Sequence, residues 1–127
     1  MSGLFRVSGQ FVMFEPAQEQ SMAWLILAVA VVTEIIWALS LKWAAMQASI
    51  AASVIPIVLS FVNMGLLALA MRGLPAGTAY AVWTGLGAVG VTIFGTMLFN
   101  EKINAVQIGF IVLIIIGVVG TKAFADA

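Results

Sequence analysis

One carboxylate set inside a long uncharged run constrains this chain more than any other feature. Between Glu19 and Lys42 lie the 22 residues 20–41, and Glu34 is the only charged one among them. At a rise of about 1.5 Å per residue, Glu34 stands roughly 12 Å from Lys42 and roughly 18 Å from Met22 along a helix. In a hydrocarbon core about 30 Å thick, that is near the midplane. A charge there costs on the order of a few kcal/mol or more, so such residues turn to a bundle interior or a wet cavity and act on ions or substrates. The alternative is a protonated, hydrogen-bonded Glu34 that only holds helices together.

Three further runs carry no charge: the 29 residues from Trp43 to Met71, the 28 from Gly73 to Asn100 and the 19 from Ile103 to Thr121. Each is long enough to cross a bilayer with some tilt or a short loop. With the Glu34 run they predict an all-α membrane protein of four transmembrane helices, at about 23–43, 50–71, 76–99 and 105–122. A content of 64% hydrophobic and 8% charged residues excludes an ordinary soluble domain. Zero net charge gives no electrostatic footing for a nucleic-acid partner. With no Cys and no His, disulfides, thiolate chemistry and the common transition-metal ligands are gone, so no metal and no cofactor is expected. One buried acid without a second catalytic group makes no enzyme site, and no catalytic residue is assigned. Four short spans suit half of a pore or transporter better than a complete one.

Residues 1–21 differ from the rest. They hold Pro16, three Gln and two acids, and their apolar run Phe11–Phe14 is too short for a signal-peptide core. A second methionine, Met22, immediately precedes the first span. The expectation is an N-terminal extension, either a mis-called start with Met22 the true first residue or a short interfacial or disordered arm, ahead of a four-helix domain at 22–127.

Within the spans, residue types cluster by face. Glu34, Trp37 and Leu41 share one face of helix 1 at spacings of three and four, with Ala30 and Ala38 beside them. Trp24 and Trp43 bracket the helix at the interfacial depth that suits amphipathic rings. Helix 2 has Pro56 near its start and a single amide, Asn63, which fits either a chamber-lining donor or an ordinary interhelical hydrogen bond. Helix 3 is the most polar, with Tyr80, Trp83 and Thr84 on one face. Gly85 and Gly87 flank Leu86 at its centre and fit either close packing or a hinge. Helix 4 is aliphatic, with Gly109, Leu113 and Gly117 on one stripe that reads as a helix–helix seam for dimerisation. From Met22 on, Arg72 and Lys122 fall on one side of the membrane and Lys42 and Lys102 on the other. That balance removes the positive-inside bias and allows insertion both ways, hence pairing with an inverted copy.

These residues resemble the small multidrug resistance family of bacterial inner-membrane transporters, in particular its guanidinium-exporter branch. Glu34-Ile35-Ile36-Trp37-Ala38 followed by Leu41-Lys42 is similar to the branch's first-helix signature. The run from Leu74-Pro75-Ala76-Gly77-Thr78 through Tyr80, Trp83, Gly85-Leu86-Gly87 and Gly90 is a long match to its third helix, and Gly120-Thr121-Lys122 resembles its C-terminal end. The resemblance covers the chain from Met22 on. It implies an antiparallel, often dual-topology homodimer in the bacterial inner membrane, with the helix-1 glutamates facing one shared pocket. By that resemblance Glu34 binds either a proton, the coupling ion, or a small cationic substrate. Trp37, Asn63, Tyr80 and Trp83 line the pocket. Gly85 and Gly87 mark the helix-3 hinge, and helix 4 forms the dimer seam. Two positions depart from the branch: Val31 stands where it has a glycine one turn before the glutamate, and Asn63 where it has a serine bonded to the glutamate.

The chemistry supports such a mechanism on its own terms. A low-dielectric surrounding favours the neutral form of a carboxyl group, and two carboxyls in one pocket titrate as a coupled pair. Proton and cation then compete for the same oxygens, so that proton entry is coupled to cation exit. Indole and phenol faces attract a cation by about 0.5–2 kcal/mol each, and a carboxylate takes a planar guanidinium bidentately. The expectation is a proton-coupled antiporter exporting guanidinium-like or small quaternary ammonium cations. Alternatives are a multidrug exporter of bulky aromatic cations, one subunit of a heterodimeric pair and, from another class, a passive channel or accessory membrane subunit.

Overall fold

The first span is much longer than its uncharged run. In this computed structural model, which describes residues 4–7, 10–13 and 16–125, helix α1 extends from Pro16 to Gln47. Proline is pre-organised for the first helical position, and the Ala-Gln-Glu-Gln that follows it is rich in helix formers. These residues carry the helix outward past the expected start near 23. At the other end Trp43-Ala44-Ala45-Met46-Gln47 prolongs it until Ala48 turns into left-handed backbone at φ 51°, which stops an α-helix. Its 32 residues measure about 48 Å, well beyond a hydrocarbon core.

Ahead of α1, β1 (Leu4–Val7) and β2 (Gln10–Met13) pair antiparallel, with Leu4 opposite Met13 and Val7 opposite Gln10. Both runs are rich in β-prone residues with Ser8-Gly9 between them, a hairpin signal in the sequence. For residues 1–3, 8–9, 14–15 and 126–127 the expectations lie outside the described residues.

Past α1, a 3-10 turn at Ala51–Ser53 leads into α2 (Val54–Ala70). Pro56 falls in the first turn of α2, where backbone N–H groups have no intrahelical partner and a proline breaks no bond. A short connection ends at Pro75, the N-cap residue of α3 (Ala76–Leu98). Asn100 then takes φ 53°, a conformation its short polar side chain tolerates. Helix α4 (Ala105–Ala123) opens with a reciprocal cap: Asn104 Oδ1 accepts from the Gln107 amide at 2.8 Å, and Gln107 Oε1 accepts from the Asn104 amide at 3.0 Å.

All four helices are long and apolar enough to cross a membrane. α1 is the central element: it packs along α2 and along α3, while the backbone of α4 packs against α3. Near the N-terminal end of the α1 span, Ala23 and Leu27 pack with Leu67, Ala70, Leu74, Ala79 and Val82. The outer surface is a coat of exposed Ile, Val, Phe, Leu and Met, as lipid requires. No residue of α4 is buried.

Candidate functional site

Glu34 meets α2 and α3 at one point. From α2, Asn63 donates an Nδ2–H to Glu34 Oε2. From α3, a Cβ at Gly87 would stand 2.9 Å from Glu34 Cγ. One turn along, a Cβ at Gly90 would run into Ile35 Cδ1. These glycines let α3 lie against the acid-bearing stretch of α1, closer than any side chain would permit. Glu34 remains half-buried, while Asn63 is 3% exposed. The amide thus anchors the carboxylate from the interior, and its own Oδ1 is buried without a partner.

The aromatic residues divide into two levels. Tyr80 and Trp83 form one pair, ring centroids 5.5 Å apart. Trp83 lies four residues before Gly87, about 6 Å along α3, and Trp37 lies three after Glu34, about 4.5 Å along α1. The two helices run in the same direction, since Glu34 faces Gly87 and Ile35 faces Gly90. Trp83 and Trp37 therefore stand on opposite sides of Glu34 along the membrane normal. Trp37 lines a cavity of about 350 Å³ with Leu41, Ala44, Ser53, Pro56 and Ser60, between α1 and α2. Tyr80 is exposed, and Trp83 buries an indole N–H that has no acceptor.

The larger apolar cavity, about 490 Å³, opens between α1, α3 and α4 and does not include Glu34. Val31 lines it together with Leu27, Val82 and Leu86. At its rim the Lys122 ammonium sits 4.9 Å from the centre of the Trp24 ring, a cation–π contact between α4 and α1.

Gly85 and Gly87 lie within an unbroken α3, each against a neighbour: a Cβ at Gly85 would come 2.7 Å from Val118 Cγ2 of α4. On α4, by contrast, a Cβ at Gly109 or Gly117 would meet nothing within 4 Å, and Leu113 is exposed. The expected seam is an uncovered face. The structure also adds contacts that residue types did not reveal. Lys42 and Glu101 approach to 4.0 Å, tying the end of α1 to the connection after α3. That Asn63 reaches Glu34, 29 positions away, depends on the register of α1 against α2, which no local pattern encodes.

Residues 22–114 match the family model described as Small Multidrug Resistance protein. The chain is 46% identical over 101 residues to a guanidinium exporter of Proteus vulgaris, an alignment covering 80% of this chain and 97% of that protein. It is 45% identical over 101 residues to the guanidinium exporter of Escherichia coli K12, with 80% and 96% covered. To that of Salmonella typhimurium it is 40% identical over 104 residues, with 82% and 99% covered. Four membrane-spanning helices, a lone mid-membrane carboxylate bonded across α1 and α2, and matches running nearly the whole length of these relatives lead to one conclusion. The chain belongs to the small multidrug resistance family and is a multi-pass inner-membrane transporter, not an enzyme.

Proposed function

We propose that this protein exports guanidinium-like cations in exchange for protons, working as an antiparallel homodimer with Glu34 as the group that proton and cation share. The observation that carries this reading is the placement of Glu34. It is the one charged residue among residues 20–41, held by a buried amide and packed against Gly87, yet partly exposed in the single chain. An acid at that depth is a functional group by default. The relatives named guanidinium exporter support a planar cation as cargo. A carboxylate suits such a cargo through paired N–H donors.

What one chain leaves unfinished supports the dimer. α4 presents Gly109, Leu113 and Gly117 to the outside, Trp83 keeps an unpaired indole N–H, and Tyr80 stands open. A second copy in inverted orientation supplies a partner for the glycine stripe and a second carboxylate for the pocket. The balanced loop charges suit both orientations. In this scheme the hinge in α3 lies at Gly85-Leu86-Gly87, between the level of Trp83 and the level of Glu34.

The test is substrate-induced current from purified protein in liposomes, comparing guanidinium, a tetraalkylammonium and a polyaromatic dye cation, with and without a pH gradient. A saturable guanidinium current that weakens as protons compete, and that Glu34→Gln abolishes without loss of membrane insertion, supports the reading. Current with bulky cations only would move the protein to multidrug export. Proton-driven flux retained in Glu34→Gln would refute the role of Glu34.

A further inference from the structure

We infer that Asn63 is a positioning residue for the proton: its amide closes a two-bond ring with Glu34 only when Glu34 is protonated. The inference rests on Glu34 as the exchange site and adds the partner that discriminates between its two forms.

The argument is one of donors and acceptors. An ionised carboxylate accepts hydrogen bonds and donates none, whereas a primary amide does both. Against the carboxylate, Asn63 can use only Nδ2, which donates to Oε2. Its Oδ1 is then left buried and unpaired, in a side chain only 3% exposed. A buried acceptor without a donor is a penalty that a native site relieves by some means. The donor available next to it is the Glu34 carboxyl itself. When a proton binds Oε1, the new O–H donates to Asn63 Oδ1 while Nδ2–H continues to donate to Oε2. A modest rotation of the amide and carboxyl planes joins them edge to edge, and every polar atom of the pair is satisfied. When the proton leaves and no other donor takes its place, Oδ1 is orphaned again. Asn63 thus favours the proton-loaded state over the empty one.

Few other groups compete for this role. α2 has no ionisable side chain, α3 has only Tyr80, two turns before Gly87, and α4 has only Lys122, which lies on the Trp24 ring. Lys42 and Glu101 pair with each other at the end of α1. The face of α3 turned to Glu34 is Gly87, which has no polar side chain.

A serine at this position would behave differently. A hydroxyl can donate to the carboxylate or accept from the acid, but its single oxygen cannot close the two-bond ring. The test uses full-length protein in nanodiscs, with Asn63→Ser and Asn63→Leu beside the parent. Guanidinium binding is followed by tryptophan fluorescence at a series of pH values. Separately, infrared difference spectra of isotope-edited glutamate are recorded without any substrate. In Asn63→Ser, which keeps a donor to the carboxylate, the proton concentration that displaces half of the bound guanidinium should rise about tenfold. Guanidinium affinity at alkaline pH is measured in each variant, so that a change in cation binding is separated from a change in proton binding. The carboxylic C=O stretch of Glu34, identified by its loss in Glu34→Gln, should move to higher frequency in Asn63→Leu as its hydrogen bond goes. Unchanged proton competition in Asn63→Ser, or an unmoved C=O stretch in Asn63→Leu, overturns the inference. If Asn63→Leu does not fold, Asn63→Ser decides the question. A parent protein that binds no guanidinium would instead sink the exporter reading, and the infrared measurement would still decide the role of Asn63.

Discussion

Gly87 gives Glu34 its place by having no side chain: a Cβ there would stand 2.9 Å from Glu34 Cγ. The atom in the way is the middle of a side chain already held at its tip by Asn63, so it has little freedom to yield. Gly87→Ala is expected to displace the carboxylate and lower transport roughly tenfold to a hundredfold, as misplacement of a reacting group does. Gly90→Ala would meet Ile35 at Cγ1, 2.7 Å away, as well as at its tip, so it should also lower transport by pushing α3 off α1, whereas Gly77→Ala meets nothing within 4 Å and should transport nearly as the parent. Liposome flux of the three variants at matched insertion checks the order.

Trp83 buries an N–H with no acceptor in the single chain. Trp83→Phe removes that orphan, so the detergent-solubilised monomer should lose little stability, within about 1 kcal/mol. Transport should change in substrate range, with proton binding kept. An unaltered range with lost proton binding would count against a pocket-lining role for this residue. Thermal unfolding beside substrate-competition assays separates the two effects.

The Lys42–Glu101 pair is half exposed on both sides, at 4.0 Å. Such pairs contribute about 0.2–1 kcal/mol and are screened by salt. Glu101→Gln should therefore leave stability almost unchanged at high salt and reduce it slightly at low salt. Chemical denaturation at two ionic strengths measures this. A large loss would show that the link between α1 and the start of α4 holds more than a surface ion pair.

On α4, Gly109 and Gly117 have open space around them in the single chain. Gly117→Leu should leave the helical content of the monomer intact and weaken association by about 1 kcal/mol or more, roughly fivefold in the dimer constant. Single-molecule energy transfer between labelled copies in liposomes reads it. Unaltered association would remove the seam from this face.

Much of this architecture was legible in the chain before its structure. Four uncharged runs had to become spans, because lipid admits no other home for them, and Glu34 stood out because a lone acid there is improbable. What remained illegible was everything that depends on register. The pairing of Glu34 with Asn63 spans two helices and a turn, and apolar helices slide past one another without changing their composition. The same holds for Gly85 and Gly87: their number suggested a flexible centre, while only the neighbours, Val118 and Glu34, reveal how closely the helices meet there. The far ends of α1 escaped because helix formers beyond the membrane, from Pro16 and up to Gln47, extend it where charge patterning says nothing.

If the protein works as the proposed dimer, the bareness of α4 would make lipid concentration a thermodynamic variable for it. With no buried residue of its own, the helix would settle its surface against whatever surrounds it, and acyl chains and a second α4 would compete for the same stripe. Diluting the protein in bilayer would then shift it toward lone chains whose carboxylate is intact but unaccompanied. Activity per molecule would fall with surface density, even though each chain kept its fold.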